Sequence, residues 1–299
     1  MSNITYSRPV DTYNINDWDY GYLTSSTVTH YQLSDGVHTT DATGIFTYNN
    51  ATGLSGGTIT SMSWAESGEP VLSISGININ VQQLLAGRIS VQEKLFDGDD
   101  NIIGSYGVEG FSTGAGNDTI DGGGSIDTVY YSGGKSDVNV ANNGAGYKVS
   151  ANGKVDTLVN VERVGMGDGS TLALDVKAGE NAGSAYRLYQ AAFDRKPDAE
   201  GLNYWTHDLD IGHNIQQVAK GFVDSAEFKT FNPASDQNSI INNFYLHVLH
   251  RDGDAVGLQY WNAEMSNGMT ASEVLVSFSE SQENINNTAA TLENGVWLV

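Results

Sequence analysis

Three hydrophobic rhythms follow one another along the chain. Over residues 1–94 apolar and polar positions alternate with period two. Ile45-Phe-Thr-Tyr48, Gly57-Thr-Ile-Thr-Ser-Met-Ser-Trp64 and Pro70-Val-Leu-Ser-Ile-Ser-Gly76 lie between the turn signals Asn49-Asn50, Gly56-Gly57 and Gly68-Glu69-Pro70. That is the pattern of half-buried strands, and Val81–Ala86 reads as one short helix among them. From Leu95 to Tyr130 the period becomes nine, in four blocks without slippage: Leu95–Ile103, Gly104–Ser112, Thr113–Asp121 and Gly122–Tyr130. Position four of the blocks is Gly98, Gly107, Gly116 or Ser125, position six is Asp100, Glu109, Asp118 or Asp127, and position eight is Ile102, Phe111, Ile120 or Val129. Short strands punctuated by glycine continue to about Val176, among them Val138–Val140, Tyr147–Ser150, Thr157–Val161 and Ser170–Asp175. From Gly183 the period is helical, and Leu188, Ala191 and Ala192 make an apolar stripe. The expected fold class is β + α multidomain: a β-rich N-terminal region with a short parallel β-roll, then an all-α duplicated domain.

The nine-residue period carries chemistry. A glycine at position four permits a tight turn with φ > 0. An acidic residue at position six supplies the hard oxygen that calcium takes, with turn carbonyls for the rest. An apolar residue at position eight points inward and stacks on the layer above. The stretch 95–130 resembles the RTX repeats of bacterial proteins exported by type I secretion, which wind into a parallel β-roll. The resemblance implies Ca²⁺ as cofactor and Asp97, Gly98, Asp99, Asp100, Glu109, Gly116, Asp118 and Asp127 as its site residues. Because each turn of such a roll uses two blocks, Asp100 is expected to face Asp118 across one ion, and Glu109 to face Asp127 across another. Glu109 is longer than the family's aspartate and Ser125 replaces its glycine, so the first site is the better formed. Asp97, Asp99, Asp100, Asp118 and Asp121 are expected to crowd one edge and to repel one another without a cation.

The helical half contains a second repeat. Phe193-Asp-Arg-Lys-Pro-Asp-Ala-Glu-Gly-Leu-Asn-Tyr-Trp205 matches Leu249-His-Arg-Asp-Gly-Asp-Ala-Val-Gly-Leu-Gln-Tyr-Trp261 at an offset of 56 residues, 251 − 195. Tyr189 and Tyr245, Phe222 and Phe278, Ser225 and Ser281, and Glu227 and Glu283 keep that offset. This half resembles an uncharacterised helical domain of secreted RTX proteins, itself similar to phycobilisome linker domains. Asp198 and Asp254 are expected to cap helices. Arg195 and Arg251 are expected to be buried and to clamp the Asp-containing turns, with the Tyr204–Trp205 and Tyr260–Trp261 pairs in the core. Asp194, Asp198 and Glu200 form no expected catalytic cluster, because Asp194 and Glu200 become His250 and Val256 in the second copy.

These readings divide the chain into a β-rich domain 1–94, a calcium-binding roll 95–130, a strand cap 131–182, a helical domain 183–289 and a tail 290–299. The tail Thr291-Leu-Glu-Asn-Gly-Val-Trp-Leu-Val299 resembles the uncleaved C-terminal signal of type I export substrates, and neither an N-terminal leader nor a membrane span is recognised. Together they imply an extracellular or cell-surface location.

Composition narrows function. With 36 acidic and 14 basic residues the net charge is −22, which disfavours nucleic acid and anionic membranes as partners. The absence of cysteine excludes disulfides and thiolate chemistry. No Ser/His/Asp order, H-E-x-x-H helix or phosphate loop occurs, so no enzyme is expected. The expected function is a secreted calcium-binding structural protein that folds on export and assembles with itself into a surface layer, filament or matrix. The alternative is a calcium-dependent adhesin or carbohydrate-binding module that takes cell-surface glycans on an aromatic N-terminal face comprising Tyr6, Tyr13, Trp18, Tyr20, Tyr22, Tyr31 and Tyr48. A hydrolase or a haem carrier ranks lower. The haem reading rests on His30, Tyr31 and His38, upstream of a Leu54–Ile79 rhythm similar to secreted haemophores.

Overall fold

Alternating side chains in the first third produce an antiparallel meander. In the computed structural model, which describes residues 1–9, 21–50, 53–88, 91–233 and 236–299, the chain separates into two units, 1–169 and 170–299. The first unit begins with strands β1 (Asn3–Tyr6), β2 (Tyr22–Ser26), β3 (His30–Ser34), β4 (His38–Asn49), β5 (Gly53–Glu66) and β6 (Glu69–Asn80). Helices α1 (Val81–Leu85) and α2 (Val91–Leu95) follow. Strands β2 to β6 pair in sequence order, and β1 returns beside β6. Asn80 caps α1 by accepting the Gln83 N–H at 3.0 Å, as the short-helix reading requires.

The nine-residue blocks then wind between two sheets. Strands β7 (Asn101–Ile103) and β9 (Thr119–Asp121) pair in parallel in the first sheet, while β8 (Gly110–Ser112) and β10 (Thr128–Tyr131) pair in parallel in the second. Each layer therefore consumes two blocks. An excursion follows through β11 (Val138–Asn142) and β12 (Tyr147–Ala151). The chain then re-enters with β13 (Lys154–Val159) parallel to β9 and β14 (Arg163–Met166) parallel to β10. The hairpin between β12 and β13 turns at Asn152-Gly153, both with φ > 0, which suits the twist of a two-residue hairpin.

Position eight forms the interior of this coil. Ile4, Ile102, Ile120 and Leu158 stand in register along one sheet, and Phe111, Val129 and Val164 along the other, each at most 1% exposed. Burial of each such side chain contributes about 1.5–3 kcal/mol. Repeat coils need closed ends. Here β1 lies against β7 at one end and β13 and β14 close the other.

Of the N-terminal aromatics, Tyr13, Trp18 and Tyr20 lie outside the described residues. Tyr6 is buried against Phe111, Tyr31 contacts Phe46, the Tyr48 hydroxyl donates to Thr27 O, and Tyr22 is 84% exposed. The aromatic set is thus divided between core and surface. His30 pairs with Asp41, whereas His38 pairs with Asp35 and stacks on Trp64.

The second unit comprises β15 (Thr171–Ala173), helices α3 (Asn181–Phe193), α4 (Ala199–Asp210), α5 (Ile215–Asp224), α6 (Ala226–Phe231), α7 (Gln237–Leu249), α8 (Ala255–Ser266), α9 (Ala271–Ser279) and α10 (Gln282–Leu292), and β16 (Val296–Trp297). The duplication is structural: α7 to α10 begin 56 residues after α3 to α6, at 237, 255, 271 and 282 against 181, 199, 215 and 226. Asp198 and Asp254 cap α4 and α8, as expected from sequence, and Ser225 and Ser281 cap α6 and α10. Strand β16 pairs antiparallel with β15, so the apolar tail docks and Leu298 is buried.

Two expectations for this unit need correction. Arg195 and Arg251 are not buried; their side chains are 44% and 42% exposed. Each lies over the ring of Tyr189 or Tyr245 and pairs with Glu227 or Glu283 in the first turn of α6 or α10. A planar guanidinium can stack one face on an aromatic ring and leave the other to water. The Tyr–Trp pairs are also split. Trp205 and Trp261 pack on Phe222 and Phe278, whereas Tyr204 and Tyr260, one residue earlier on the helix, point outward. The buried arginine of this unit is Arg187, held by Glu280 and the carbonyls of Val176 and Lys177. The repeat hid it, since its counterpart is Asn243.

Gly201 and Gly257 begin the G-L-x-Y-W segments for a steric reason. A Cβ on Gly257 would stand 2.1 Å from the Tyr245 hydroxyl, and one on Gly201 would stand 2.9 Å from the Tyr189 ring. Helix propensity alone favours alanine by about 1 kcal/mol, but the overlap is a packing clash worth about 1–3 kcal/mol. Gly257→Ala is therefore expected to lower the urea midpoint of the helical unit, the opposite of what helix propensity predicts.

Candidate metal centre

The acidic residues of position six form two ladders along the coil, one on each edge. On the first edge the Asp118 carboxylate accepts the backbone N–H of Asp100 at 2.9 Å, 18 residues back. Asp156 accepts the N–H of Asp118 at 2.9 Å. Asp100 in turn accepts from the N–H and hydroxyl of Ser2, both at 2.8 Å. On the second edge Asp127 accepts the N–H of Glu109 at 2.8 Å, and Glu162 accepts the N–H of Asp127 at 2.9 Å. The carboxylates are thus tied to the backbone of a neighbouring layer. Asp118, Asp156, Asp127 and Glu162 each spend one oxygen on the N–H of the acidic residue in the layer before, because the parallel register places that N–H beside the next carboxylate.

That arrangement leaves oxygens over. Asp100 Oδ2, Asp118 Oδ2 and Asp127 Oδ2 are buried and have no hydrogen-bond partner, a costly state for an anion. Glycine backbone packs closely around these turns. A Cβ on Gly116 would meet Gly98 O at 2.2 Å, and one on Gly122 would meet Asp127 Oδ2 at 2.8 Å. Gly98, Gly116 and Ser125 all have φ > 0, so Ser125 holds at position four a backbone that favours glycine.

The sequence-derived set divides. Asp100, Asp118, Asp127 and Glu109 are brought into the ladders and are buried, with Gly98 and Gly116 in the turns. Glu109, one carbon longer, bends back so that both its oxygens accept the Ser105 N–H at 3.0 Å. Asp97 and Asp99 stay exposed; Asp97 pairs with Lys94 and Asp99 accepts the Asn117 N–H. Asp121 does not join the first edge. It ends β9 at the opposite edge, where it accepts from Asn160. Among the described residues no group of three or more His, Cys, Asp or Glu side chains is gathered around one point. A ladder with one carboxylate per layer would draw its remaining donors from backbone carbonyls.

Sequence reasoning missed Asp156 and Glu162. Their signal is the triplet acidic-x-apolar: Asp156-Thr-Leu158 and Glu162-Arg-Val164 repeat Asp100-Asn-Ile102 and Asp118-Thr-Ile120. The β11–β12 excursion breaks the count of nine and conceals it.

Burial raises the proton affinity of these groups. Asp118 is pushed up to about 7 by burial and then by the neighbouring charges of Asp156 and Asp100. Asp127 is pushed up to about 7 by burial and then by Glu109 and Glu162, and burial also raises Glu109. A carboxylate whose folded pKa exceeds its unfolded value near 4 gives stability that is complete below pH 4 and lost as pH rises through 7. In chelator, the melting temperature of the first unit is therefore expected to fall between pH 4 and pH 8. A melting temperature that rises over that interval would contradict buried, cation-free carboxylates.

Comparison with known proteins bears on the second unit. Residues 178–232 and 231–288 each match the family described as Domain of unknown function (DUF4214). The two matches meet at the 56-residue repeat and cover the eight helices α3 to α10 almost completely. No curated protein matches the chain. Among solved structures, it is similar to the crystal structure of extracellular lipase LipA from Serratia marcescens, with 18% identity over 23% of this chain and 13% of that one, at a TM-score of 0.15. The chain thus spans about an eighth of that lipase.

Proposed function

We propose that the coil is a calcium-binding roll of the RTX type, completed by calcium outside the cell, and that the folded chain is an extracellular structural subunit that assembles with copies of itself. The observation that carries the reading is the set of three buried carboxylate oxygens without hydrogen-bond partners, on Asp100, Asp118 and Asp127, in a coil whose turns at Gly98, Gly116 and Ser125 take φ > 0. Asp100 and Asp118 would hold one ion on the first edge, and Asp127 would hold another on the second, each with loop carbonyls. The ion would neutralise charge that the chain itself leaves unbalanced. At cytosolic calcium the acidic edges would keep the chain loose enough to thread through an export channel.

Assembly is supported by the net charge of −22, which divalent ions would screen between copies, and by the exposed Tyr204, Val256 and Tyr260 of the duplicated unit. Calcium titration followed by circular dichroism and light scattering tests both parts. Strand signal and scattering are expected to rise together at about 10⁻⁴–10⁻³ M calcium. An unchanged spectrum would remove the calcium reading, and a monodisperse monomer at millimolar calcium would remove assembly. A calcium-dependent adhesin is the second reading, favoured by β2, whose five residues are all exposed and include Tyr22. A glycan array distinguishes it.

A further inference from the structure

The third step of the first ladder differs from the others. Parallel pairing of β13 on β9 places Thr157 against Thr119 and Leu158 against Ile120, so Asp156 stands over Asp118 and Lys154 over Gly116. Lys154 therefore takes the slot that Gly98 and Gly116 fill in the layers before it. The glycine is not needed there, because the Asn152-Gly153 hairpin makes the turn one residue earlier.

The ammonium of Lys154 enters the ladder. It lies 3.2 Å from Asp156 Oδ2, 3.7 Å from Asp118 Oδ2 and 3.0 Å from Gly114 O, and it donates to the hydroxyl of Thr113. Its side chain is 12% exposed, and both carboxylates are fully buried. Two carboxylate oxygens, a carbonyl and a hydroxyl are the hard donors a calcium ion takes. Asp118 Oδ2 has no hydrogen-bond partner and meets only this more distant charge.

We propose that Lys154 is a tethered cation standing in for a metal ion at the third step, so that this step is closed to calcium and its removal opens a calcium site formed by Thr113, Gly114, Asp118 and Asp156. The ammonium travels with the chain and cannot be chelated. It holds the last layer on the coil whether or not calcium is present, and so provides a formed end on which the other layers can order when calcium arrives. The inference rests on the calcium reading of the coil for what enters the vacated step, and the experiment separates the two.

The test is calorimetric titration of calcium chloride into the full chain and its variants, with thermal melts in chelator beside it. Lys154→Gly, which restores the residue of the earlier layers, and Lys154→Met are each expected to bind one more calcium than the parent. They are also expected to melt at lower temperature in chelator and to recover in millimolar calcium. Lys154→Arg, which keeps the charge, is expected to retain the parent stoichiometry. A parent that binds no calcium, beside a Lys154→Gly chain that binds one, would sink the reading of the first two layers and uphold this one. Equal stoichiometry in parent, Gly and Met chains would overturn it. So would Gly and Met chains that stay unfolded in millimolar calcium.

Discussion

Asp127→Asn is expected to destabilise the protein in calcium and to leave it unchanged or slightly stabilised in chelator. Asparagine keeps an oxygen to accept the Glu109 N–H, as Asp127 Oδ1 does at 2.8 Å, so the ladder geometry survives. The substitution removes the buried charge whose second oxygen finds no partner in the protein. With calcium tenfold above its dissociation constant, a site contributes about 1.4 kcal/mol, and two sites about 3 kcal/mol, against a usual margin of about 5–15 kcal/mol. In calcium the variant is therefore expected to lose about 1.4 kcal/mol by urea denaturation. Chelating the parent protein is expected to remove about twice that, with loss of hydrogen-exchange protection at the Asp100 and Glu109 amides. Equal stability losses for Asp127→Asn in calcium and in chelator would show that the carboxylate serves the protein alone.

Asp156→Ala is expected to be the more damaging change, and to be so with or without calcium. The Asp156 carboxylate accepts the Asp118 N–H at 2.9 Å, the Tyr131 hydroxyl at 2.9 Å and the Thr113 hydroxyl at 3.1 Å, and it faces Lys154 at 3.2 Å. Alanine would remove the acceptor of the Asp118 N–H and of the Tyr131 and Thr113 hydroxyls, and leave the ammonium with Asp118 as its nearest charge. Breaking a buried ion pair from one side costs about 3–5 kcal/mol, enough to unfold many domains of marginal stability. The double change Lys154→Met, Asp156→Leu removes both charges and is expected to recover much of the loss, as an apolar replacement of a buried pair often does. Equal destabilisation by the single and double changes would assign the cost to the lost hydrogen bonds of the Asp118 N–H, Tyr131 and Thr113 rather than to the unpaired charge.

How much of this could be read from the chain alone follows from how local each cause is. The period of nine specified β7 to β10 and the inward-facing Ile102, Phe111, Ile120 and Val129, because stacking identical turns satisfies backbone and core together. The 56-residue offset carried the helix cap from Asp198 to Asp254, because a start encoded by a single residue survives duplication. What stayed hidden depends on register across long gaps. Ser2 reaches Asp100, and Asp156 reaches Asp118 across 38 residues, and no local rhythm announces such a meeting. The ladder of hydrogen bonds stayed hidden for a related reason: the backbone N–H groups that Asp118, Asp156, Asp127 and Glu162 accept come within reach only once the strands are paired. Arg187 was invisible to repeat logic because a unique residue leaves no echo.

The chain leaves the coil after Tyr131 and rejoins it at Lys154, and the intervening hairpin turns through exposed residues 141–145, with open space where a side chain on Gly144 would stand. Its length is thereby uncoupled from the stack, which fixes only where the strand must land. A guest peptide spliced after Gly144 would accordingly be carried as a tethered passenger, presented to solvent while the layers beneath keep their spacing.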